Sequence, residues 1–151
     1  MGWVSKFDNT FWEVPPGGTS IWTGSEWSFP NPNINLYIQV KGGSTWAAGY
    51  RPTQIRITAY MSSGGTQSID LDTFDTGGID QLAGAVESIT AAPTAFTYTL
   101  DFTPGLDIDQ IQPFQAGMTS WDMRITDIEF LEGAGPTEFW TDKVKCSESD
   151  S

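Results

Sequence analysis

The chain contains no histidine, a single cysteine, and only seven Lys and Arg against nineteen Asp and Glu. Each shortage removes a class of function. Without imidazole, Ser-His-Asp and Cys-His catalysis are excluded, as are the common His-based zinc and iron sites. Cys146 has no second cysteine in the chain to pair with, so no intramolecular disulfide forms. A formal net charge of −12 repels phosphate backbones and anionic lipid headgroups, which argues against nucleic-acid and membrane partners. No run approaches the about 20 apolar residues of a membrane span. Phosphate-cradling glycine loops are missing, and Gly17-Gly18 and Gly42-Gly43 read as turns. The segment from Met1 to Asp8 lacks the apolar run and cleavage site of a signal peptide. The expected setting is therefore a virion surface or an excised extracellular module.

What remains is β-forming material. Gly (16) and Pro (9) are plentiful, and helix-period segments are absent, so many short strands joined by turns are expected. The 151 residues fit one domain: residues 1–135 as a β-sandwich and 136–151 as a polar tail. Ile34–Val40 alternates with apolar residues at even positions, and Ile55–Met61 with apolar residues at odd ones. Each pattern leaves one face buried. Ser62-Ser63-Gly64-Gly65 reads as a hairpin turn into Thr66–Phe74. Val86–Thr90, Phe96–Thr103 and Leu106–Phe114 follow as strands, the last limited by Pro113. From Trp121 to Leu131 the apolar register runs Trp121, Met123, Ile125 and then shifts to Ile128 and Phe130. That shift predicts a β-bulge near Thr126-Asp127. The fold class expected is all-β, a two-sheet antiparallel β-sandwich of the jelly-roll type.

Residue chemistry favours holding a ligand over transforming one. Carboxylate-pair hydrolysis remains open in principle, but Asp70 and Asp72 read as solvated strand acids, and the chain is read as a non-enzyme. Seven Trp are present. Aromatic faces can stack on the C–H faces of sugars, while amides and guanidinium bind hydroxyls. Trp22, Trp27 and Trp46, in Gly/Ser-rich segments, are expected to be exposed and to bind the ligand, and Trp121 to be core. The outward positions of two strands offer Asn35, Tyr37 and Gln39, and Gln54, Arg56, Thr58 and Tyr60. If both strands share a sheet, Tyr37, Gln39, Arg56 and Tyr60 form one ligand-binding surface, although Tyr and Thr are also simply good strand formers.

The order of these elements resembles a known family. Ile55–Met61, the Gly-Gly turn, Glu87-Ser88-Ile89-Thr90 leading into Ala95–Phe102, and Met123-Arg124-Ile125-Thr126-Asp127-Ile128-Glu129-Phe130 are similar to the galactose-binding-like jelly rolls of carbohydrate-binding modules found beside xylanases and cellulases. The likeness spans residues 34–132. Two positions depart from it: Thr126 stands where the family often has an Asp, and Pro93-Thr94-Ala95 where it has an aromatic. The resemblance implies a carbohydrate ligand and a structural calcium held by Asp127, with Asp8 or Asn9 on the N-terminal side. No other cofactor is required. The alternative is a structural virion protein, a phage head-decoration or tail-associated domain docking on a capsid or tail partner, oligomeric on the particle.

Overall fold

The computed structural model describes residues 2–42, 46, 51–81, 85–101 and 106–133. Eleven strands and no helix occur among them: β1 (Trp3–Ser5), β2 (Trp12–Glu13), β3 (Ile21–Trp22), β4 (Trp27–Asn31), β5 (Ile38–Val40), β6 (Pro52–Ser63), β7 (Gln67–Asp75), β8 (Val86–Ile89), β9 (Thr94–Thr99), β10 (Ile108–Phe114) and β11 (Trp121–Glu132). They form two antiparallel sheets. The first runs β3-β4-β11-β6-β9, with β1 also on β11. The second runs β2-β5-β10-β7-β8. This is the all-β, two-sheet jelly-roll sandwich expected.

Period-2 alternation fills the space between the sheets. Ile55, Ile57, Ala59 and Met61 of β6 in one sheet and Ile69 and Leu71 of β7 in the other are all buried. Along β11, Trp121, Met123 and Ile125 point inward, then Ile128 and Phe130. The pairing with β6 slips between Ile125 and Asp127, so the bulge lies where the sequence predicted it. Without the slip, Ile128 and Phe130 would face water. Burying such a side chain stabilises the fold by about 1.5–3 kcal/mol.

An aromatic cluster closes one region of the core. The Trp12 and Phe130 rings stack at 6.4 Å, and Trp46 meets Phe130 edge-on at 4.8 Å. Buried indoles need an acceptor for N–H. Trp12 Nε1 donates to the Lys6 carbonyl at 2.7 Å, and Trp27 Nε1 to that of Phe7.

The predicted hairpin does not form. β6 pairs with β9 and β11, while β7 pairs with β8 and β10. Ser62-Ser63-Gly64-Gly65 therefore carries the chain across the sandwich. Alternation reports one buried face per strand; it does not say whether two strands lie side by side or face to face. Gly64 makes the crossing feasible. Its φ is 93°, and a Cβ there would lie 2.6 Å from the Cβ of Trp121.

Two more boundaries differ. Ile34 is 76% exposed and Asn35 has φ of 60°, so the strand expected from Ile34 begins only at Ile38. Pro113 sits inside β10, opposite Leu71. β5 pairs only with Gln110 and Ile111, so Pro113 lies beyond the reach of that neighbour and its missing N–H is tolerated. The tail 136–151, with Trp140 and Cys146, lies outside the described residues.

Candidate functional site

Topology separates the surface that the sequence suggested. Arg56 and Tyr60 lie on β6 in the first sheet; Gln39 lies on β5 in the second, with Tyr37 immediately before it. The four therefore do not share one sheet face. On the first sheet, polar side chains bind one another. Arg56 donates to Glu129 through Nε at 2.9 Å and Nη2 at 2.8 Å, with its guanidinium 4.1 Å from the Trp3 ring. The Arg56 hydrogen bonds hold the Glu129 carboxyl below its usual range. Tyr60 Oη donates to Glu26 at 2.9 Å, which raises the phenol's pKa. Arg124 joins Glu26 at 2.7 Å and Asp122 at 2.9 Å. Burial pushes Asp122 up, but hydrogen bonds from Arg124, Ser28 and Ser62 together bring it below the carboxylate norm.

The tryptophans expected at the surface are mostly interior. Trp27 is 1% and Trp46 8% exposed. Trp22 is half-buried, 5.0 Å from Trp27 and 5.9 Å from Phe7. Glycine and serine around them suggested loops, yet Trp22 and Trp27 are cross-strand partners in β3 and β4, and Trp27 also opposes Ile125. Trp121 is core, as expected.

A different face carries rings and uncommitted amides. On the second sheet, Gln39 opposes Gln110, Gln110 opposes Phe74, Gln112 opposes Asp72, and Phe114 opposes Asp70. Directly opposed residues point the same way, so all of these lie outward, because Ile38, Ile111 and Leu71 between them are buried. Alternation adds Tyr37 beside Gln39. Gln39 donates to Glu13 at 2.9 Å. The side chains of Gln110 and Gln112 make no hydrogen bond to another described residue. At the end of this face, residues 31–36 and 112–118 enclose a cleft of about 320 Å³. No charged residue lines it, and Ile34, Phe114 and Met118 are exposed there at 76%, 49% and 80%.

Sequence reasoning found Tyr37 and Gln39 but missed Phe74, Gln110, Gln112 and Phe114. The signal existed: the residues alternating with Ile111 and Pro113 are two amides and a phenylalanine. Across the sheet stand acids. Burial, then hydrogen bonds to Asp80 and Asp70, push the Asp72 carboxyl up to about 8. Asp80 is itself held by the backbone N–H of Thr73 at 3.1 Å.

Comparison with solved structures places the architecture. Its fold is shared with carbohydrate-binding modules. A family 29 module matches with a TM-score of 0.54 at 14% identity, over 88% of this chain and 94% of that one. A family 36 module, solved with calcium and xylotriose, matches at 0.50 and 15% identity, over 85% and 98%. The second N-terminal cellulose-binding domain of β-1,4-glucanase C from Cellulomonas fimi matches at 0.51 and 12% identity, over 86% and 92%. No family model and no curated protein matches the chain.

Asp127 and Asp8, the calcium ligands implied by the resemblance, are each engaged within the protein. Asp127 accepts from Ser5 Oγ at 2.6 Å. Asp8 accepts from the Thr10 hydroxyl at 2.5 Å and the Thr10 N–H at 3.0 Å, which together lower its pKa. Calcium takes six to eight oxygen ligands, and among the described residues no three acidic side chains gather to hold a metal. Asp8 closes a local turn and Asp127 fastens the bulge to β1.

Proposed function

We propose that this chain is a non-catalytic carbohydrate-binding module whose ligand lies on the outer face of the second sheet. One observation carries the reading: the rings of Tyr37, Phe74 and Phe114 flank two amides, Gln110 and Gln112, that have no described partner. Sugar C–H faces stack on such rings, and sugar hydroxyls need planar groups that both donate and accept. An uncommitted amide offers that pairing with no bond to break first, whereas Arg56 and Tyr60 would have to release Glu129 and Glu26. The neutral end cleft, beside Phe114 and Gln112, extends the surface along the ligand.

A module of this kind works where polysaccharide is, outside the cell or displayed on a particle. The exposed Ile34 and Met118 favour one second reading, docking on a virion partner. A panel of soluble polysaccharides in native affinity gels separates the two. Retardation by xylan, β-glucan or glucomannan that is lost in Tyr37→Ala supports the glycan reading. Unretarded migration in every polymer moves the balance to the protein partner.

A further inference from the structure

Resting on the glycan reading of the adjoining face, we infer that the neutral end cleft holds an acetyl substituent of the glycan, and that Ile34 and Met118 are the side chains that select for it. The cleft opens where two strands part. β5 pairs with β10 only at Gln110 and Ile111. Beyond that point Asn35, at φ of 60°, turns one chain aside, and Pro113 in the other has no N–H to offer. Residues 31–36 and 112–118 then form the two lips. Both lips come from uncharged stretches: no charged residue stands between Glu26 and Lys41, or between Asp109 and Asp122. A charged substituent entering the cleft would find no counter-charge on its walls.

The lips are held in place. Thr19 Oγ1 donates to the Ile34 carbonyl at 2.6 Å, and the Thr19 N–H to that of Asn35 at 3.0 Å. On the other lip, Gln115 Nε2 donates to the Ser68 carbonyl at 3.0 Å, while its Oε1 accepts from Trp121 Nε1 at 2.9 Å. Asn31 Nδ2 donates across to the Thr119 carbonyl. A fastened backbone thus keeps Ile34, Phe114 and Met118 out in solvent. Single exposed apolar side chains are ordinary, but three around one cleft form a patch that suits a ligand.

Their shapes narrow the choice. A bare sugar face stacks on a flat ring, and Phe114 supplies one. Ile34 and Met118 are instead aliphatic walls that enclose a methyl group, and the flexible thioether chain can close on it. Beside them, the side-chain amides of Asn33 and Gln112 make no hydrogen bond to another described residue. Their N–H groups can donate to an acetyl carbonyl, which only accepts. Phe114 and Gln112 belong both to the cleft and to the sheet face, so a chain lying on that face delivers its substituent there. At about 320 Å³ the cleft sits near the lower end of the about 300–1,000 Å³ that small-molecule sites span. That is room for one substituted sugar rather than a length of chain.

The test is isothermal titration with two neutral pairs that differ by acetylation. One pair is chitohexaose against cellohexaose. The other is xylo-oligosaccharides carrying O-acetyl esters against the same preparation after mild alkali. In at least one pair the acetylated member should bind about tenfold more tightly, the weight of one enclosed methyl group and one hydrogen bond. Ile34→Thr/Met118→Gln should bring that ratio toward one, with an unchanged urea midpoint because both side chains are exposed. Equal or weaker binding of the acetylated member in both pairs, or a preference that survives the double variant, overturns the inference and leaves the glycan reading standing. Loss of both members in the variant also overturns it, since Ile34 and Met118 would then serve the sugar chain itself. Binding of none of the four ligands overturns both readings.

Discussion

Arg56 grips Glu129 through both arms of its guanidinium, at 2.9 and 2.8 Å, above the ring of Trp3. Bidentate pairs of this kind fix geometry as well as charge. The pair ties β6 to β11 and holds β1 against them, so it is structural cement rather than a receptor. Arg56→Ala should therefore lower the urea midpoint of unfolding and leave affinity for a retained polysaccharide within about twofold, well under the 1.4 kcal/mol that a tenfold change represents. Denaturation and titration on the same preparation check both halves.

Gly64 and Gly65 make a matched stability experiment. Both have positive φ, but only Gly64 has Trp121 and Ser120 within 3 Å of an added Cβ. Gly65→Ala should cost about 1 kcal/mol, the backbone preference alone. Gly64→Ala should cost about 3 kcal/mol or more, because the clash adds to that preference. Equal costs would mean the connection crosses the sandwich by another route.

The interior was legible in the sequence because alternation is a direct record of burial. Ile55 to Met61 and Trp121 to Phe130 announced their inward faces, and the shift after Ile125 announced the bulge. Sheet membership was not legible: Ile69 and Leu71 would be buried equally well beside β6 or across from it. The indoles misled for a related reason. Trp27 sits among Gly24, Ser25 and Ser28, which read as loop, and its burial depends on Ile125 almost a hundred residues later. Half of the candidate face could be read, at Tyr37 and Gln39. The other half waited on knowing that β10 lies between β5 and β7.

Asp72 gives the fold a pH signature. Its carboxyl pKa is about 8 in the folded chain against an ordinary 3.8. Between those values the folded state keeps a proton that the unfolded state has released. Stability contributed by Asp72 is thus full below about pH 4 and declines as pH rises toward 8. Asp72→Asn should raise the melting temperature most above pH 8 and flatten its fall between pH 5 and 8. A variant whose melting curve parallels the parent's at every pH would contradict the assignment. Asp122 and Glu129 act in the opposite sense, since their depressed values place the loss of their contribution on the acid side.

Calcium should be dispensable for the described part of the fold. Asp8 accepts from Thr10 and Asp127 from Ser5, so the chain's own donors already hold both carboxylates in place. Melting temperatures in EDTA and in excess calcium should coincide, and a rise in calcium that disappears in Asp127→Asn would show the bulge acid to be a ligand.

The most direct test sets the two sheet faces against each other by isothermal titration with whichever polysaccharide is retained. Tyr37→Ala/Phe114→Ala should lose binding by at least about tenfold, since each ring supplies a stacking surface, while Arg56→Ala/Tyr60→Phe binds as the parent does. If instead the first pair binds normally and the second does not, the ligand lies on the ion-paired face and the assignment of the second sheet is wrong.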